Sequence, residues 1–151
     1  MFATVRTLAV VVTAMQAVGP LPPPPREAPV ARLQRLIEGL TGPAPASCGH
    51  FRIEHFGQPA ASADGLREAV GCIEAHAQAR TPAWFVVELQ GIDSWVASGV
   101  LTGADGRIQS YSYDSDPSGG SGAPPRLAPS PCPRPVVETT PETGPIVRCD
   151  R

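Results

Sequence analysis

Lysine and asparagine are both absent from the 151 residues, so all twelve basic side chains are arginine. Both missing residues have A/T-rich codons. The pair of absences therefore reads as the mark of a GC-rich, bacterial genome rather than as selection for arginine chemistry. Without asparagine there is no N-glycosylation acceptor. No C-x-x-C is present, which argues against a thioredoxin-like redox pair and against a zinc knuckle. Nothing resembles a nucleophile elbow or a glycine-rich oxyanion loop. Charge is near balance at −2, or −3 once a leader carrying Arg6 is removed, because eleven basic residues then face fourteen acidic ones. That balance favours neither nucleic acid nor an anionic membrane surface.

In abundance are nineteen prolines and fifteen glycines, clustered away from the middle of the chain. Met1 to about Val18 fits a secretory signal peptide: Arg6 supplies the positive n-region, and the apolar run Leu8–Met15 is too short to span a bilayer comfortably. No cysteine precedes Cys48, which argues against a lipid-modified N-terminus. Residues 19–45 read as a proline-rich spacer. Pro20–Pro25 is an extended polyproline stretch, followed by a short helix carrying Leu33, Leu36, Ile37 and Leu40 on one stripe and stopped by Gly42-Pro43; this helix either docks on the domain or stays a loosely held arm.

Residues 46–116 read as the core domain. Cys48–Phe56 alternates like a short extended strand. A helix follows, capped by Ser62 or Asp64, with Leu66, Val70, Ile73 and Ala77 on one face and Ala69 widening it. Three strand signals come next: Trp84–Gln90, Trp95–Thr102 and Arg107–Asp114, joined by turns at Ile92-Asp93-Ser94 and Gly103-Ala104-Asp105-Gly106. Expected from this pattern is an α+β fold: one main helix on a three-stranded, or with one more pairing four-stranded, antiparallel sheet, flanked by proline-rich arms. Residues 117–151 read as a proline- and glycine-rich tail, in which Val136–Thr140 and Ile146–Val147 are short runs able to pair along a sheet edge.

Roughly 70–90 residues remain for a core, a size at which burial alone is marginal. The four cysteines therefore matter, and in an exported chain they favour two disulfides over metal ligation. Three pairings are open. The preferred one is Cys48–Cys72 with Cys132–Cys149, tying the main helix to the segment before it and pinning the tail.

Candidate sites are few. Cys48, His50, Glu54 and His55 offer soft and imidazole ligands for zinc or copper, but the spacing matches no recognised site and Cys48 is better used in a disulfide. Asp114-Ser115-Asp116-Pro117-Ser118-Gly119 matches the first half of a calcium loop, yet Pro125 stands where the bidentate glutamate belongs. His76, Asp93 and Ser94 are the available hydrolase set, although Asp-Ser is an ordinary turn pair. Trp84, Trp95, Tyr111 and Tyr113 are either core aromatics or a recognition patch on the outer face of the sheet.

The stretches Cys72-Ile73-Glu74-Ala75, Pro82-Ala83-Trp84-Phe85, Ile92-Asp93-Ser94 and Tyr111-Ser112-Tyr113-Asp114 resemble small secreted bacterial domains of unknown function. In those, a cysteine-bearing helix leads into a three-strand meander. The helix-then-meander order is also similar, more distantly, to cystatin-like and PepSY-type inhibitory modules. The cystatin glutamine-valine-glycine loop is replaced here by Leu89-Gln90-Gly91. The resemblance implies fold and export and transfers no active residue.

The leading expectation is thus a small, monomeric, secreted or periplasmic binding module without cofactor. Its partner would be a protein, peptide or envelope component. Competing with it are a metal-dependent or hydrolytic enzyme using His50, His55 or the Asp93–Ser94 turn, and a passive envelope protein with spacer arms.

Overall fold

A computed structural model describes residues 28–52, 58–89, 91–119 and 124–150. The leader, the polyproline stretch, Glu54 and His55 lie outside the described residues. Within them the order is α1 (Pro29–Thr41), β1 (Ala46–Phe51), α2 (Ala63–Ala79), β2 (Ala83–Leu89), β3 (Val96–Thr102), β4 (Ile108–Asp114), β5 (Arg126–Pro131), β6 (Arg134–Thr140) and β7 (Gly144–Asp150). Strands β1 to β5 form one sheet in sequence order, with β1 parallel to β2 and every later pair antiparallel. Strands β6 and β7 form a separate antiparallel pair.

This corrects the expected single helix on a three- or four-stranded sheet. The protein is mostly strand, seven in two sheets, with two helices among the described residues. The reason lies in β2. A strand covered on one face alternates, whereas one covered on both reads as a continuous apolar run. Ala83, Trp84, Phe85 and Val86 are all buried. Trp84 and Val86 face α1 together with Ala97, Leu101 and Tyr113. Ala83 and Phe85 face α2 with Val100. The sheet is therefore a middle layer, and the segment expected as part of a spacer supplies one of its covers.

Helix α1 starts with Pro29 in its first turn, where a missing N–H costs nothing. Leu33 and Ile37, one turn apart, are fully buried on the sheet. The helix stops at Gly42, whose φ of 105° suits a residue without Cβ. Helix α2 is capped by Ser62, whose hydroxyl accepts from the Gly65 N–H at 3.0 Å. Leu66, Ala69, Val70 and Ile73 form its buried stripe, and it ends on Arg80 in the left-handed region. Beside α2, the β6–β7 hairpin lays Val137 and Val147 on the same core cluster.

The disulfides join Cys48 of β1 to Cys72 of α2, and Cys132, just after β5, to Cys149 of β7. This is the pairing preferred from sequence. The first fastens α2 over the sheet, and the second fastens the hairpin beside it. Each closes a loop whose entropic restraint on the unfolded chain is worth roughly 3 kcal/mol. Strand β5 runs along the sheet edge despite Pro129 and Pro131, a position where a missing ladder donor is tolerated.

One cross-strand contact locks β2, β3 and β4 together. Tyr111 stands opposite Gly99. Its ring lies over that glycine, and its hydroxyl donates to the Phe85 carbonyl at 2.8 Å. A Cβ on residue 99 would meet the Tyr111 hydroxyl at 2.6 Å as well as the Phe85 carbonyl oxygen. An aromatic laid across a strand glycine fills the space the glycine leaves. Two substitutions test this account by urea denaturation. Gly99→Ala should destabilise by about 1–3 kcal/mol or more. Leu33→Ala should cost about 2–5 kcal/mol, whereas an undocked α1 would leave the midpoint unmoved.

Candidate functional site

The α2-facing side of the sheet is not covered uniformly. On that face β3 and β4 present Ser98, Ser110 and Ser112, while Phe85 and Val87 of β2 stand beside them. Small side chains under a helix on one flank and a hairpin on the other leave a gap. The result is a cleft of about 390 Å³. Its walls come from Ala61 just before α2, Leu66 in the first turns of α2, Val87 and Leu89 of β2, and Ile146 and Val147 of β7. Ser98 and Ser110 bring hydroxyls to the floor, and Leu89 stands 44% exposed at the rim.

Electrostatically the cleft is quiet. Glu88 is the single carboxylate among its described lining residues. Its Oε1 lies 2.7 Å from His50 Nε2 and 3.7 Å from Arg52 Nε, which ties it to β1. Tyr111 also borders the cleft, but burial pushes its phenol well above its ordinary value of 10.0, keeping it protonated and bonded to the Phe85 carbonyl.

The residues singled out from sequence are distributed elsewhere. The aromatics do not form an outward patch: Trp84, Tyr111 and Tyr113 are 6%, 3% and 1% exposed and belong to the core beneath α1. Trp95 is half-buried and packs edge-on against Tyr113, with ring centres 5.4 Å apart. His50 is engaged with Glu88, whereas Cys48 is bonded to Cys72, so these two do not converge on a metal. His76 Nδ1 lies 2.7 Å from Thr81 Oγ1, just before β2 begins, while Asp93 and Ser94 follow the end of β2. The length of that strand, roughly 20 Å, separates them, and no hydrolase set is assembled. The Asp114 carboxylate accepts from the Asp116 N–H at 3.0 Å, and the Ser115 hydroxyl accepts from the Trp95 N–H at 2.8 Å. Those oxygens close the turn that leaves the sheet.

Among the described residues, one group of three ligand-type side chains converges: Cys48, Cys72 and His76, with donor atoms within 4.8 Å of one another. No described helix is long and apolar enough to cross a membrane. No family model, curated protein or solved structure matches the chain.

Sequence reasoning passed over the cleft because its signal is subtle: serine at alternate positions on a strand face that something covers. The alternation of Ser110 and Ser112 against Tyr111 and Tyr113 contains that signal once the covered face is known. Burial of Tyr111 has a measurable consequence. A phenol whose folded pKa is raised contributes its full stability below about pH 10, the unfolded value. As pH climbs beyond that, the unfolded chain loses the proton first and stability falls by up to about 1.4 kcal/mol per pH unit. With no lysine in the chain, denaturation measured from pH 9 to 11 should show this slope, and Tyr111→Phe should flatten it.

Proposed function

We propose that this protein is a small exported binding module whose ligand enters the cleft between the sheet, the start of α2 and the β6–β7 hairpin. The supporting observation is the cleft itself. Its volume of about 390 Å³ falls in the range of small-molecule sites, roughly 300–1,000 Å³, and its walls are mostly apolar, with Gln58, Ser98, Ser110 and Thr143 as neutral polar groups among them. With its one carboxylate turned to His50, the cleft suits an uncharged, largely apolar molecule carrying a hydroxyl or carbonyl group.

Two disulfides are compatible with an oxidising compartment. Together with the apolar N-terminal stretch they support a secreted or periplasmic location. The small net charge supports a role away from nucleic acid.

The test uses a neutral solvatochromic dye such as Nile red, titrated into the oxidised full chain. Saturable, blue-shifted binding at one site per chain is expected. Ser110→Leu and, separately, Ser98→Leu fill the floor of the cleft and should weaken binding at least tenfold without altering the far-ultraviolet circular dichroism. Binding that is absent, or unchanged in both folded variants, refutes the reading.

A further inference from the structure

The two disulfides differ in their surroundings. Among the described residues, Cys132–Cys149 has no third ligand-type group close by, whereas Cys48–Cys72 has an imidazole beside it. Cys72 and His76 are four residues apart on α2, a spacing that stacks side chains on one side of a helix. Cys48 reaches them from β1, and all three residues are half-buried rather than sealed in the core. His76 is also oriented. Its Nδ1 lies 2.7 Å from Thr81 Oγ1, and the Thr81 hydroxyl has the His76 carbonyl as its own acceptor at 3.4 Å. In the tautomer where Nδ1–H donates to that hydroxyl, the lone pair rests on Nε2, the arrangement that second partners impose on metal-bound histidines.

We propose that Cys48, Cys72 and His76 form a redox-gated zinc site, closed while the disulfide is intact and opened when a dithiol reduces it. In the first step the dithiol supplies two electrons and two protons. The Cys48–Cys72 sulfur–sulfur bond breaks, two protein thiols form, and the reductant leaves as its cyclic disulfide. In the second step Zn²⁺ displaces both thiol protons, forming two Zn–S bonds and one Zn–N bond to His76, with a water as fourth ligand. Tetrahedral zinc with Zn–S bonds of about 2.3 Å holds two sulfurs roughly 3.8 Å apart. Side-chain rotation accommodates that separation once the sulfurs are no longer bonded. The metal then ties β1 to α2 in place of the covalent link, so the fold keeps its fastening in both states. This inference stands apart from the cleft, since none of the three residues lines it.

To test it, the full chain is reduced with a phosphine, which does not bind zinc as a thiol does. Zn²⁺ is then titrated anaerobically in competition with a chromophoric chelator. One zinc per chain is expected for the reduced protein and none for the oxidised one. His76→Ala, a change at a half-buried helix position to the best helix former, should lower zinc affinity tenfold or more while leaving oxidised stability nearly unchanged. Cobalt in place of zinc should give the near-ultraviolet sulfur-to-metal band of two thiolates. A Cys132→Ala/Cys149→Ala variant should keep the full stoichiometry. Zinc affinity that is equal in wild type and His76→Ala, or zinc binding absent from the reduced wild type, overturns the proposal whether or not the double-cysteine variant folds.

Discussion

Strand β2 carries apolar side chains on both of its faces, and such a strand is stable only where each side is covered. Most of the architecture follows from that requirement. Helix α2 covers Ala83 and Phe85, and α1 covers Trp84 and Val86. With both faces engaged, neighbouring strands can add only edgewise. β3 does so through a hairpin, and β1 does so in parallel because the crossover through α2 carries the chain back to the same end. A small core of this kind has little margin, and the two cross-links act where margin is thinnest. One holds a cover over the sheet, and the other holds the hairpin that completes that cover.

The parts of this arrangement that were legible in the sequence are those with a strong local period. The α2 stripe of Leu66, Ala69, Val70 and Ile73, its Ser62 cap, and the three-strand meander all stand close to where periodicity placed them. The missing parts are those decided by tertiary context. Residues 29–41 show one apolar stripe, which is equally consistent with a docked helix or a loose arm until it is known that Trp84 and Val86 need a partner. Strand β5 contains two prolines in six residues and would not be read as strand in isolation. Only its place at the edge makes it one. The aromatics failed as a surface for the same reason, because a single-sided sheet would have left some of them outside and a double-sided one does not.

The cleft and the cysteine–histidine group illustrate a second limit on reading function from composition. Neither depends on a distinctive residue. The cleft arises from serines whose smallness matters only beneath a cover, and the proposed zinc site from one histidine on a helix flank that β1 happens to approach. The sites that sequence did single out, by contrast, are occupied in closing turns and filling the core: Asp114 and Ser115 satisfy backbone donors, and Tyr113 packs against Trp95.

The prolines of β5 bear on how the molecule behaves in a crowd. The Cys132 N–H, immediately after the strand, donates inward to the Ile108 carbonyl. Backbone groups alternate in direction along a strand, so Leu127, Pro129 and Pro131 point their amide positions outward. Two of those three positions carry no hydrogen. A passing strand, from another copy or from an unfolding neighbour, meets a border whose carbonyls can accept but which lacks two of its three outward amide donors, so a regular ladder cannot form along it. Two imino acids thus blunt the β5 border of the sheet against edge-to-edge pairing.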